Sequence, residues 1–363
     1  MVFLYPINFQ TRENFMKITV ANAPAKACLA GEYSDWMGGQ ALVASLASLT
    51  TRTEVSDISG SVHLISSASD QGFFSTHAPL SMDISINTDN PLRYVLGVMQ
   101  EFENRFGFYG PLQVKIESTI PTVGGLSSSA AVCVSVAAAL LSHLDINDNA
   151  GEKAVDIAFK AERDRINTGC GTQDQIIVNK GGLLLLEFAP FRDYPRTMTG
   201  TSSDIDYYVT VASPGGRTGY NDISGDLISR NGSNESRIST YRDLNKTVPS
   251  KIFNALIDRD IPTLIGLSRF STEAIRHLVS IDNNAILEMI KIAEQSGSFY
   301  ARPSGPRPSG GVMVALSEDL VTAQKIAEAL RPYASFVAID RFGKTGTQVF
   351  TSVDTDAKVG VPA

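Results

Sequence analysis

A run of small and hydroxyl-bearing residues, Pro121-Thr122-Val123-Gly124-Gly125-Leu126-Ser127-Ser128-Ser129-Ala130-Ala131, lies between a strand-like segment and a long apolar helical one. Adjacent glycines let backbone amides approach an anion, and a helix start adds unpaired N–H groups with partial positive charge. Serine hydroxyls at that place can donate to phosphate or coordinate Mg²⁺. The plainer alternative is a glycine turn capped by Ser at the start of a buried helix. No Lys follows the glycines, so the run is not a Walker A loop.

Two further groups carry polar chemistry. Ala161-Glu162-Arg163-Asp164 leads into Gly169-Cys170-Gly171-Thr172-Gln173-Asp174-Gln175, where Asp174 is read as standing on a glycine-bent turn ahead of an apolar strand. A carboxylate there can take or orient a hydroxyl proton, although Asp is also a common turn cap. Glu162 can help to surround a metal-bound phosphate. The other group runs from Ala23 through Lys26, Gly31, Glu32, Tyr33 and Asp35 to Gly38-Gly39, a strand entering a polar turn. Its carboxylates accept hydrogen bonds, Tyr33 both donates and accepts, and Lys26 can hold developing negative charge, a set that suits a hydroxyl-rich ligand.

In this order and spacing the three groups resemble the signature of the GHMP kinase superfamily, from about Lys17 to about Phe350. Gly31-Glu32-x-x-Asp35-x-x-Gly38-Gly39 is similar to the sugar-recognition motif of galactokinases, and Cys170-Gly171-x-x-Asp174-Gln175 to their catalytic turn. Tyr33 stands where those kinases carry His and Lys26 where they carry Arg, departures that bear on which sugar is taken. Arg217 to Asn221 is similar to a galactokinase stretch containing Tyr-Asn. The third family motif falls on Arg302 to Gly311, where Pro306, Arg307 and Pro308 stand in place of small residues expected beside the phosphate loop.

The resemblance implies an ATP-dependent sugar kinase that phosphorylates a hydroxyl, preferably the anomeric one. Asp174 and Lys26 would be catalytic. Gly124, Gly125, Leu126, Ser127, Ser128 and Ser129 would hold the nucleotide. Glu32, Tyr33, Asp35, Gly171, Asp174 and Tyr220 would contact the acceptor, and Ser128 with Glu162 would hold Mg²⁺. Two other readings stay open: a kinase of a uronic acid, an amino-sugar or a mevalonate-like alcohol, and a catalytically silent ligand sensor, which the altered third motif favours.

Elements able to position these residues are legible in outline. Asn90 to Arg105, Leu126 to Leu144 and Gly151 to Asp164 read as helices, and Lys17 to Ser69 and Leu112 to Ile116 as strands. Beyond Asp204 the pattern alternates strands at Tyr207 to Ala212, Val312 to Leu316 and Ser335 to Ile339 with helices between Ser250 and Leu330. The fold class expected is α+β, the GHMP two-domain arrangement, with a ribosomal-protein-like α/β domain over 16–203 and a ferredoxin-like domain over 204–363. Residues 1–15 are expected to be a loosely tied extension without signal-peptide character.

Composition narrows the class further. A net charge of −7 with no basic cluster argues against nucleic-acid binding, and no apolar run is long enough to span a membrane. Three separated cysteines and four unclustered histidines suggest neither disulfides nor a structural metal site, which fits a cytoplasmic protein; the small-molecule sugar partner is what the resemblance implies.

Overall fold

The computed structural model describes residues 16–59, 62–69, 72–79, 90–107, 110–122, 124–190, 192–201, 205–215, 235–279, 283–307 and 310–354. The N-terminal extension expected over 1–15 lies outside them.

The first sheet has eight strands. β1 (Met16–Ala30) lies between β2 (Gly39–Asp57) and the last described strand, β12 (Gln348–Asp354). β2 is long enough to serve two neighbours: its first residues pair with β6 (Leu183–Phe188) and its last with β5 (Leu112–Ser118). β3 (Val62–Ser69) runs parallel to β5 and antiparallel to β4 (Gly72–Pro79), and β7 (Thr197–Thr201) edges β6. The helices of this half are α1 (Ser34–Met37), α2 (Arg93–Phe106), α3 (Ser128–His143), α4 (Ala150–Lys160) and α5 (Gln173–Lys180).

α3 carries no charged residue before His143 and is buried around most of its circumference, as its all-apolar composition requires. It packs on β1 and β2 in one apolar cluster with Ala21, Ala23, Ala25 and Ala27, whose small side chains leave room for a helix close to the sheet. The intervening Cys28 belongs to another cluster, with Ile176 and Ile177 of α5. β1 therefore serves α3 and α5 through alternate residues.

The second sheet is antiparallel, in the order β11 (Phe336–Arg341), β8 (Tyr208–Ser213), β10 (Gly310–Ser317), β9 (Tyr300–Arg307). In chain order this is fourth, first, third, second, the ferredoxin-like arrangement. Among the described residues four helices, α6 (Glu235–Leu244), α7 (Val248–Asp258), α8 (Ile261–Leu278) and α9 (Asn284–Gln295), precede β9, and α10 (Leu320–Leu330) precedes β11. β10 is buried on both faces: Met313 and Ala315 pack against α9 and α10, whereas Val312, Val314 and Leu316 join the cluster that contains α3. The two sheets thus share one continuous apolar core.

The α+β class and both sheets match the expectation from sequence. After Arg341 the chain crosses back, so β12 lies in the first sheet beside β1. One local reading is corrected. Residues 173–180 form a helix, so Asp174 lies in its first turn and not on a turn leading into a strand. No helix among the described residues is long and apolar enough to cross a membrane.

Candidate functional site

Lys26 and Asp174 meet in the groove between β1 and α5, with Nζ 2.7 Å from Oδ1. Lys26 is buried and Asp174 is about one-third exposed, so the carboxylate faces open space and the ammonium does not. Burial alone would lower the Lys26 pKa, but the attraction of Asp174, joined by weaker contributions from Cys28 and Glu32, holds it well above its usual value. The lysine is a fixed positive charge. The N-terminal position of Asp174 on α5 also places its negative charge at the favourable end of the helix dipole.

Asp35 completes the cluster from the other side. It is buried in α1, and its Oδ2 accepts from the Gln173 backbone N–H at 3.4 Å. Burial, and then repulsion from Asp174, push its pKa up to about 6, with Lys26 pulling the other way. Gly171 makes the approach possible, because a Cβ there would stand 2.1 Å from Asp35 Oδ2. Two carboxylates and one ammonium are therefore held together, one carboxylate accessible and one desolvated.

The glycine loop lies directly above. The Lys26 backbone N–H donates to the Leu126 carbonyl at 3.1 Å, which ties the lysine strand to the start of α3. Gly124 and Gly125 have φ of 87° and 88°, and Ser127, at φ 58°, enters α3 from the left-handed region without a side-chain cap. Its buried Oγ has no partner among the described residues. Uncapped N–H groups and an unpartnered hydroxyl at a helix start suit an anion. Leu126 contributes only backbone, since its side chain is in the core.

Gly125 is tight for a reason the sequence does not show. A Cβ on it would stand 2.3 Å from the Ser304 carbonyl oxygen, and a Cβ on Gly305 would stand 2.4 Å from the Gly125 Cα. The Ser304 hydroxyl donates to the Gly125 carbonyl at 3.0 Å and accepts from the Cys28 N–H at 2.9 Å. The small residues beside the loop are thus Ser304 and Gly305, and Pro306 and Arg307 run on past them to the end of β9. Pro308 and the Arg307 side chain lie outside what is described.

Glu162 sits in a π-helical turn, Ala161–Arg165, that continues α4, a local widening common at functional sites. Burial pushes its pKa up to about 7, while bonds from Ser129 and Gln175 favour the charged form. Gln175 Nε2 donates to Glu162 Oε2 at 2.5 Å. The serine in contact with Glu162 is Ser129, one residue beyond Ser128. No group of three or more His, Cys, Asp or Glu side chains among the described residues is arranged to hold a metal.

Glu32, expected at the acceptor, is tied to the second sheet. Its carboxylate is buried, with Oε2 bonded to the guanidinium Nη2 of Arg302 in β9. Tyr241 donates to the Glu32 carbonyl oxygen at 3.2 Å. Tyr33 stands at φ 66° and packs with Met37, Tyr241 and Ile275. Tyr220 lies outside the described residues. Arg302 is the residue that reading the sequence for chemistry passed over; an Arg two places before Ser304, at the start of a run of small residues and prolines, is the signal that marks it.

The family model for the GHMP kinase N-terminal domain matches residues 93–182, which span the glycine loop, Glu162 and Asp174. A galactokinase of Thermosipho africanus is 37% identical over 82 residues, and that match spans 23% of each chain. A mevalonate kinase of Pyrococcus abyssi is 24% identical over 352 residues, covering 92% of this chain and 98% of its own. Among solved structures, the galactokinase of Lactococcus lactis, determined with galactose, superposes with a TM-score of 0.73 at 16% identity, over 94% of this chain and 96% of the other.

Proposed function

We propose that this chain, which belongs to the GHMP kinase superfamily and is a phosphotransferase with an alcohol acceptor, transfers the γ-phosphoryl group of ATP to a sugar hydroxyl, preferably the anomeric one. The observation that carries the reading is the Lys26–Asp174 pair, tied through the Leu126 carbonyl to the loop at the start of α3.

In this reading the phosphates lie on the amides around Gly124 to Ser129. The acceptor hydroxyl lies between Asp35 and Asp174. Its oxygen forms a bond to the γ-phosphorus as the bond from that phosphorus to the bridging oxygen breaks and ADP leaves, and Asp174 orients the hydroxyl or receives its proton. Lys26 offsets charge on the attacking and transferring oxygens. Positioning and fixed charge account for most of such catalysis. Mg²⁺ arriving with ATP supplies further charge neutralisation, and the buried Glu162 carboxylate with the Ser128 and Ser129 hydroxyls fits it as a set of hard oxygen donors.

A second reading, an acceptor of another class such as a mevalonate-like alcohol, is supported by the mevalonate kinase relative aligned over 92% of this chain. The silent-sensor reading loses its main support, because Ser304 and Gly305 keep the close packing against the glycine loop.

ADP release measured across neutral sugars, uronic acids, amino-sugars and mevalonate separates these readings. The same assay on Asp174→Asn should show kcat lowered by about 10² to 10⁴ with nucleotide affinity near the parent value. A folded Asp174→Asn enzyme working at the parent rate would reduce Asp174 to a helix cap.

A further inference from the structure

The alternate residues Tyr300, Arg302 and Ser304 of β9 all reach into the first half of the molecule. Tyr300 donates its hydroxyl to the Leu29 carbonyl, Arg302 bonds Glu32, and Ser304 bridges Cys28 and Gly125. The period of two in a strand puts these three side chains on one face. That face touches both the turn that holds Glu32 and Asp35 and the loop assigned to the nucleotide.

Arg302 is fully buried, and Glu32 is nearly so. They meet through a single Nη2–Oε2 contact; Nε and Nη1 of Arg302 and Oε1 of Glu32 have no partner among the described residues. A buried ion pair repays its desolvation only when its remaining donors and acceptors are satisfied, so this one is a poor stabiliser. Its geometric effect is larger. Glu32 is three residues before Asp35, and the intervening backbone turns tightly, with the Trp36 and Met37 N–H groups both donating to the Tyr33 carbonyl. Fixing the Glu32 side chain fixes where α1 begins.

We infer that Arg302 is a positioning residue for this turn: from the second sheet it holds Glu32, and through the turn it sets Asp35 against Gly171 and Asp174. The role assigned to the turn rests on the reading of Asp35 as an acceptor-side carboxylate.

Trp36, the only tryptophan in the chain, lies next to Asp35 in α1 and reports the order of the turn without any acceptor. The test compares Arg302→Met, Arg302→Lys and the double variant Arg302→Met with Glu32→Gln. Three quantities are read: acrylamide quenching of Trp36, Tm, and affinity for the Mg²⁺ complex of a non-hydrolysable ATP analogue. Arg302→Met should lower Tm and raise the quenching constant by about threefold or more, because an unpaired buried carboxylate is driven from its site. The double variant should recover most of the Tm yet stay quenched, with analogue affinity within about threefold of the parent, since the two effects separate only if the pair does more than stabilise.

A double variant with parent-like quenching would overturn the inference, as would one that loses analogue affinity along with Trp36 protection. Should both Met variants fail to fold, Arg302→Lys decides: raised quenching supports the inference, and unchanged quenching refutes it. A parent that phosphorylates no sugar would remove the functional reading while leaving the Trp36 result in place.

Discussion

Replacing Asp35 with Asn should make the protein more stable and a poorer catalyst at once. The carboxyl is buried beside Asp174, and its proton is held until about pH 6 instead of the ordinary 3.8. For an acid whose folded pKa is raised, the contribution to stability is fully present below the unfolded value and is lost as pH rises through the folded one. Ionising Asp35 therefore costs the fold ~3 kcal/mol at pH 7 and under ~1 kcal/mol at pH 4. Asn preserves the shape, can still accept from the Gln173 N–H and never ionises, so the variant should gain up to that amount at pH 7 and almost none at pH 4. Urea unfolding at the two pH values, with an unchanged m value, measures the difference. The same change removes a charged hydrogen-bond partner from the acceptor, so acceptor KM should rise about 10- to 100-fold while the KM for ATP stays near parent. A variant no more stable than the parent at pH 7 would show that Asp35 is not held against its own burial. Equal rises in both KM values would place it away from the acceptor.

Gly125→Ala should weaken nucleotide binding about tenfold, because a side chain at φ 88° is strained and its Cβ would have to displace the Ser304 carbonyl 2.3 Å away; calorimetric titration with the ATP analogue reads this, and parent affinity would refute the packing argument. Glu162→Gln should raise the Mg²⁺ concentration for half-maximal rate about tenfold at pH 8 and much less at pH 6. Burial has pushed Glu162 to about 7, so the parent itself is largely protonated at the lower pH. A variant whose Mg²⁺ requirement tracks the parent at both pH values would remove Glu162 from the metal's surroundings.

What the sequence discloses about this site divides along a physical line. The glycine pair and the apolar helix after it are legible because backbone freedom and apolar composition act locally, and Gly124, Gly125 and α3 fall where those rules put them. Residues 173–180 are not, because Ile176-Ile177-Val178 fits a strand as well as a short helix. The helix is settled from a distance. Its last turn is closed by Thr347, whose N–H and hydroxyl donate to the Val178 carbonyl and whose N–H also reaches that of Asn179, so orphan carbonyls at the C-terminal end are satisfied by a segment near the end of the chain.

Glu32 likewise has a partner that its local pattern does not announce. The polar turn itself does not show that Arg302, arriving on β9, bonds one oxygen of the buried carboxylate. At Gly125 the local rule predicts the backbone, and on its Cβ side the close approach it permits is that of the Ser304 carbonyl. Both partners lie on the same strand. The residues that read as separate phosphate and acceptor motifs are joined through β9, so a change on that strand's inward face reaches both sides of the site, whereas a change on its outward face, at Ala301, meets the α9 and α10 packing instead.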